Sequence, residues 1–280
     1  MWKLAAFADE ISPDIDVQIE QCVRHEVSFI ELRSVAGKNV LDLDDPLRRE
    51  IKRKLDDRGL SVISIGSPIG KVRIDEPFGP HFDRFKIAVD MADFFAAPLI
   101  RIFSYYPAEG ASHDDLILRH RDEVLRRMQA KVDYMRGRTT VLVHENEANI
   151  YGEKALQCLD ILTTINSPAL RAAFDFANFV QAREDTWRAW EMLRPYVVHI
   201  HVKDALLSDG RVVPAGQGDG KIREILQDAA RIHYHGVLSL EPHLAHAGQF
   251  QGYSGPELFK VAVDALRGIL ATLKPNSVSA

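Results

Sequence analysis

The sequence predicts an α/β protein: a single-domain parallel (β/α)8 barrel of the TIM type over residues 1–273. Three observations lead there. Short apolar runs of four to six residues alternate with longer amphipathic stretches, and the pair repeats eight times. The runs are apolar along most of their length, as parallel strands buried on both faces are. No G-x-G-x-x-G follows the first run, which removes the signature of a doubly wound dinucleotide-binding sheet. The 280 residues exceed the usual domain of ~150, but barrels of ~250 fold as one unit. No linker, charge block or internal repeat divides the chain.

The elements follow in order. Strand Leu4–Ala8 is ended by Asp9 and Glu10, and Ser12-Pro13-Asp14 opens a helix over 14–25. Strand Phe29–Leu32 leads to Asp44-Asp45-Pro46, a cap and a first-turn proline, and a helix over 45–58. Asp57-Arg58-Gly59-Leu60 closes that helix just before strand Ser61–Ile65. A helix over 80–95 precedes strand Leu99–Phe103, and Ser112-His113-Asp114-Asp115 caps a long helix over 113–135. Strand Thr140–His144, helix 153–164, strand Leu170–Phe174 and helix 184–193 come next. Strand Val197–Val202 precedes a helix over 219–232, which His235-Gly236 ends as strand Gly236–Leu240 begins. Ser254-Gly255-Pro256-Glu257 starts the last helix, 255–272, and residues 274–280 read as a flexible polar tail.

Composition narrows the function. Thirty-five Lys and Arg against 40 Asp and Glu leave a net charge of −5, a poor footprint for nucleic acid. No run approaches ~18 apolar residues, so no membrane partner is expected. The apolar N-terminal run is too short for a signal-peptide core. Cys22 and Cys158 sit 136 residues apart in helical segments and read as small core residues, which favours a cytoplasmic protein without disulfides.

Barrel active sites lie at the C-terminal ends of the strands. The last four predicted strands deliver Glu145, Asp175, His201 and Glu241 to that rim, spaced by 30, 26 and 40 residues, each about one βα unit. Three carboxylates converging on an imidazole repel one another unless a cation neutralises them. The set suits one divalent ion of intermediate hardness, Mn²⁺ first, with Mg²⁺, Co²⁺ or Zn²⁺ as competitors. The competing reading makes each residue an isolated charge with its own Lys or Arg. The first half of the barrel offers hydrogen-bonding groups and aromatics suited to a polyhydroxylated ligand: Arg33, Ser67, Arg101, Ser104 and Tyr105-Tyr106. Arg33 and Arg101 serve equally as ion-pair partners of Glu31 or its neighbours.

The strand ends VHENE (143–147), AFDFAN (173–178), HIHVKD (199–204) and SLEPH (239–243) resemble the metal-site motifs of the xylose isomerase-like TIM-barrel superfamily. Together with Phe7-Ala8-Asp9-Glu10-Ile11-Ser12 and the segment 214–220, they look most like its sugar phosphate isomerase/epimerase branch, ketose 3-epimerases included. The resemblance covers nearly the whole chain. It implies that Glu145, Asp175, His201 and Glu241 bind one divalent metal, and that Glu145 and Glu241 also move protons as the catalytic pair. It implies a sugar or sugar phosphate isomerase or epimerase that removes a proton next to a carbonyl and passes through a metal-stabilised enediolate. The alternative is a lyase on the same site, an inosose-type dehydratase or a 3-keto-glycoside deglycosidase. The deglycosidase would bring a small partner subunit. A non-catalytic sugar-binding barrel is a remote third, and a homo-oligomer is compatible with the superfamily.

One departure counts. Where the family often has D-x-x-H, this chain has Asp175 and Asn178, and an amide neither ligates zinc well nor shuttles protons near neutrality. That removes a part the superfamily's nucleases need. Asn178, Lys203, His243, Glu147, Arg33, Ser67 and His144 are the candidate substrate-binding residues. Lys203 would hold an oxyanion or phosphate, or pair with Asp204. His243 would face the pocket from the loop after Glu241. His144 neighbours Glu145 and so points the other way, a structural residue or a relay behind it. His199 points inward below His201 and needs a partner that the sequence does not identify. The loop Gly216-Gln217-Gly218-Asp219-Gly220-Lys221 could cradle a phosphate or simply turn.

Overall fold

Eight parallel strands close on themselves in the computed structural model of the chain, which describes residues 2–243 and 253–273. They are β1 (Lys3–Ala6), β2 (Phe29–Leu32), β3 (Ser61–Ile65), β4 (Leu99–Ile102), β5 (Val141–Glu145), β6 (Leu170–Asp175), β7 (Val197–Val202) and β8 (Val237–Leu240). Each pairs with its neighbours in sequence, and β8 returns to β1 with Ala6 beside Leu240. Two irregularities interrupt the ladder: β3 carries an extra residue, Ile63, opposite Ile30/Glu31, and β7 carries one, Val198, opposite Ala172/Ala173. Such bulges re-aim the side chains that follow them.

Ten helices surround the barrel among the described residues: α1 (Ile15–Arg24), α2 (Asp45–Asp57), α3 (Phe78–Phe95), α4 (His113–Arg119), α5 (Arg121–Tyr134), α6 (Ala155–Ile165), α7 (Phe176–Gln181), α8 (Thr186–Leu193), α9 (Ile222–Arg231) and α10 (Gly255–Leu270). Three of the four expected caps form; Ser254 does not cap α10, and its hydroxyl donates instead to the Pro242 carbonyl. Asp14 accepts from the Asp16 amide, Asp44 from the Leu47 amide, and Ser112 with Asp115 makes a reciprocal capping box. The single helix expected over 113–135 is two, because His120 leaves the helical region at φ −114°, ψ 4°. The two-turn α7, absent from the sequence reading, starts directly after β6 with Asp175 as its cap. Two short antiparallel hairpins, 34–39 and 204–213, were also not expected. Residues 274–280, expected as a loose tail, lie outside the described residues.

The main core lies between barrel and helices, where Phe85, Trp190, Phe174 and Phe259 are fully buried. Inside the barrel, small apolar residues fill the N-terminal half, with Ala5, Ile63 and Val237 in one cluster and Leu99, Val143 and Ala173 in another. Side chains alternate along a strand, so the same inward face recurs two residues later. There it carries Arg101, Glu145 and Asp175, two places beyond Leu99, Val143 and Ala173. The interior thus turns from apolar to charged towards the C-terminal rim. Both cysteines are buried and unpaired in a disulfide, and no described helix is long and apolar enough to cross a membrane.

Candidate metal centre at the C-terminal rim

Glu145, Asp175, His201 and Glu241 converge, with one ligating atom from each within 4.8 Å of all the others. His201 Nδ1 is 2.8 Å from Glu145 Oε1, 3.9 Å from Glu241 Oε2 and 4.0 Å from Asp175 Oδ2. All four are buried. Local structure explains their aim. Glu145 and Asp175 are the last residues of β5 and β6, His201 is the inward residue before the end of β7, and Glu241 follows β8. Asp175 divides its carboxylate: Oδ1 accepts the Asn178 amide at 2.8 Å and caps α7, which leaves Oδ2 for the cluster. Asn146 brackets the same residue, accepting the Asp175 amide at 2.9 Å and donating to its carbonyl at 3.0 Å.

Cations border the carboxylates. Arg101 donates to Glu145 Oε2 at 3.1 Å, and Lys203 Nζ lies 3.2 Å from Glu241 Oε2 and 3.0 Å from Asp175 Oδ2. The Lys203–Asp175 contact is close but off the line of a hydrogen bond, so Asp175 Oδ2 is buried without a hydrogen-bond donor. Burial pushes the Asp175 carboxyl up to about 7, against the pull of Lys203 and reinforced by the Glu241 and Glu145 charges. Burial also opposes ionisation of Glu145, yet His201 and Arg101 hold it at about 2. Lys203 and His243 similarly overcome burial at Glu241 and keep it well below the usual carboxylate range. An unsatisfied buried carboxylate oxygen among two further carboxylates is the feature a divalent cation would relieve, and three oxygens with one imidazole nitrogen are a fitting donor set.

Two sets of neighbours were missed in the sequence. Glu31, on β2 opposite Ser64, lies beneath the cluster with its Oε2 2.7 Å from His199 Nε2 and 3.2 Å from His201 Nε2. This names the partner His199 needed. Burial would raise the Glu31 carboxyl, but the two imidazoles hold it well below its ordinary value. Asp9 and Glu10 follow β1 and take Arg33, whose Nε is 2.7 Å from Asp9 and whose Nη2 is 3.0 Å from Glu10. Arg33 therefore pairs with these two rather than with Glu31, and its Nη1 reaches within 4.0 Å of Glu241. The guanidinium groups of Arg33 and Arg101 both lie against the Phe7 ring, at 4.7 and 4.8 Å from its centre, and Phe7 meets His201 edge-on. The signal for Glu31 was a charged residue inside an apolar strand, the same signal that marked His201.

The other candidates sort by position. His243 contacts both Glu10 and Glu241, and these carboxylates overcome its burial and raise it to about 9. Glu147 pairs with Lys71 at 2.7 Å on the rim. Asn178 is buried and donates to the Asn146 carbonyl at 2.9 Å. The Ser67 hydroxyl donates to the Arg101 carbonyl. His144 lies on the opposite face of β5 from Glu145, 2.9 Å from Ser104 Oγ, and burial lowers it to about 3. Two alternatives are corrected. Lys203 does not pair with Asp204, which faces away. The Gly216–Gly220 loop does not present its amides to a phosphate: the Gly216, Gly218 and Gly220 amides all donate to the Asp204 carboxylate, at 2.9, 3.0 and 2.9 Å.

Residues 19–273 match the family described as xylose isomerase-like TIM barrel. No curated protein matches the sequence. Among solved structures, the chain is similar to a probable 3-DHS dehydratase from Bacillus anthracis, at TM-score 0.75 and 18% identity over 95% of this chain and 99% of that one. It is similar to a D-allulose 3-epimerase from Methylomonas sp., solved with D-allulose, at TM-score 0.72 and 15% identity over 96% of each chain. A third likeness is to a xylose isomerase-like TIM barrel protein from Mycobacterium smegmatis in complex with magnesium, at TM-score 0.69 and 18% identity over 96% of this chain and 98% of that one. At these identities the likeness is one of fold.

Proposed function

The chain belongs to the xylose isomerase-like TIM-barrel family, and from that premise we propose that it is a divalent-metal-dependent isomerase or epimerase of a small sugar or sugar phosphate. The observation that carries this reading is the way the two glutamates divide their oxygens. Glu145 turns Oε1 to the cluster and Oε2 to Arg101, while Glu241 turns Oε2 to the cluster and Oε1 to His243. Each has one oxygen for a ligand role and another for a proton. A divalent ion held by Glu145, Asp175, His201 and Glu241, Mn²⁺ being the best match to this donor set, would supply a Lewis-acidic charge for a carbonyl and its neighbouring hydroxyl.

Glu145 and Glu241 reach the site from β5 and β8, with β6 and β7 between them. Glu145 takes a proton from the carbon next to the carbonyl, and Glu241 passes one to the opposite face after receiving it from His243, which is protonated beside Glu241 Oε1. Arg101 fixes the outer oxygen of Glu145. Lys203 overcomes its burial with the Asp175 and Glu241 charges and is held well above its ordinary value, so an ammonium stays beside the oxygen that becomes negative. Asn146 and Asn178 set the aim of Asp175.

Lys203 also favours a second reading on the same first step. An ammonium 3.2 Å from the base Glu241 can donate a hydrogen bond to a departing β-oxygen, which leaves as water once the base hands on the proton it took, and this makes elimination the alternative outcome. The test is proton exchange in deuterated water with Mn²⁺-loaded protein and a panel of ketoses and keto-inositols. Exchange at the carbon next to the carbonyl is expected, with a loss of about 10²–10⁴-fold in Glu145→Gln or Glu241→Gln. Isomer formation supports the first reading and loss of water the second. Exchange unaffected by both variants would overturn the assignment of the bases.

A further inference from the structure

We propose that Glu31 is a positioning residue for His201: it accepts the His201 Nε2–H and so fixes Nδ1 as the nitrogen offered to the ligand cluster. The inference rests on the four-residue metal reading above and extends it one layer down the barrel. His201 is engaged from both sides of its ring, with Nδ1 2.8 Å from Glu145 Oε1 and Nε2 3.2 Å from Glu31 Oε2. Glu145 and Glu31 are both carboxylates that only accept, so without an ion each takes an N–H from the ring; an ion at the cluster would displace the Nδ1 proton and leave the remaining N–H on Nε2, where Glu31 accepts it.

Glu31 is itself held. His199 Nε2 lies 2.7 Å from the same Oε2, and the Ser64 hydroxyl donates to Oε1 at 3.0 Å. Glu31, Ser64, His199 and His201 are all fully buried. A carboxylate enclosed in this way is costly, and an apolar residue of similar size would fill the same space more cheaply. Glu31 shares the inward face of Phe29 by ordinary alternation, and the extra residue Ile63 in β3 brings Ser64 opposite it. The Phe7 ring, edge-on to His201 at 5.1 Å, limits rotation of the imidazole from a third side. A carboxylate behind a metal-binding histidine orients the ring and makes it a better donor, and losing such a group weakens metal binding by about 10–100-fold.

The experiment measures Mn²⁺ affinity by chelator competition in the full-length wild type, Glu31→Gln and Ser64→Ala, with thermal melting of each. Glu31→Gln is expected to weaken Mn²⁺ by about 10–100-fold. Ser64→Ala touches only the other oxygen of Glu31 and is expected to change affinity by less than about threefold, the difference being assigned to the hydrogen bond from His201. Nitrogen-15 NMR of the Zn²⁺-loaded wild type, which needs no variant to fold, is expected to find the His201 proton on Nε2. A proton on Nδ1, or equal Mn²⁺ affinity in wild type and Glu31→Gln, overturns the role of Glu31 and leaves the metal site standing. A wild type that binds neither ion overturns the four-residue reading and this inference with it.

Discussion

Asp175 joins folding to chemistry in one side chain. Its Oδ1 caps α7 and its Oδ2 enters the candidate ligand cluster without a hydrogen-bond donor. Its folded carboxyl titrates at about 7, above the unfolded value of about 3.9. Between those values the folded, metal-free protein keeps a proton that the unfolded chain has released, so this residue makes stability fall as pH rises from about 4 to 7. Glu145 has the opposite sign: it is held at about 2, and its contribution is lost as pH falls below about 4.5. Metal-free Asp175→Asn should therefore melt no lower than wild type at pH 8, since Asn also caps helices well. Its Mn²⁺ affinity should fall at least tenfold and lose its rise with pH near 7. Melting curves and chelator competition at pH 6 and 8 check both, and a clear drop in metal-free stability at pH 8 would contradict the direction given for Asp175.

The proposed ligands were legible as single residues because each is an ionisable group at or near the end of an apolar strand, where burial without a partner is expensive. Their supports were less legible. Asn146 stands next to Glu145 but acts through the backbone of Asp175, 29 residues away. Asp9 and Glu10 read as the end of a strand, and only the closed barrel shows that they take Arg33 beside Glu241. Pairing across the barrel depends on strand order and bulges, which no local pattern encodes.

At the scale of elements, the loops decide what the strand ends can do. The hairpin 204–213 and the loop before α9 fold around Asp204, whose carboxylate takes the amides of Ala205, Gly216, Gly218 and Gly220. A side chain at Gly218 would collide with Asp204 itself, which is the physical need for glycine there. Asp204→Ala leaves these amides without an acceptor and should destabilise the protein by about 2–4 kcal/mol. Denaturant titration measures it, and a loss under about 0.5 kcal/mol would show the loop to be held by something else. The same loop shows why glycine spacing misleads as a phosphate signal: amides that converge on an anion converge equally on a carboxylate of the chain. Strands such as Phe29–Leu32, Ser61–Ile65 and Val197–Val202 have the bounds their apolar runs gave. Helix α7 escaped because six residues carry too little periodicity, and the break at His120 because nothing around it forbids a helix.

Across the whole molecule, the barrel interior is divided between a small apolar plug below and a charged layer above. The plug keeps the strands together without help from the site. The layer sets Asp9, Glu10, Glu31, Glu145, Asp175 and Glu241 against Arg33, Arg101 and Lys203, with His201 and His243 between them. Carboxylates outnumber the permanent cations two to one, so the folded state gains whatever a bound divalent ion relieves. A ligand that binds only the folded state stabilises it by about 2.7 kcal/mol at a hundred times its Kd. For a domain of this size each kcal/mol moves the melting point by about 2–4 °C. Mn²⁺ at that excess should raise Tm by about 5–10 °C over chelator-treated protein, and the double variant Glu145→Gln/Glu241→Gln should lose most of the shift. Because the apolar plug and the helical layer do not depend on the ion, the treated protein should still unfold cooperatively. Equal melting points with and without Mn²⁺ would mean that the charges of this layer neutralise one another unaided, with Lys203 and the His201 imidazolium standing where the ion was placed.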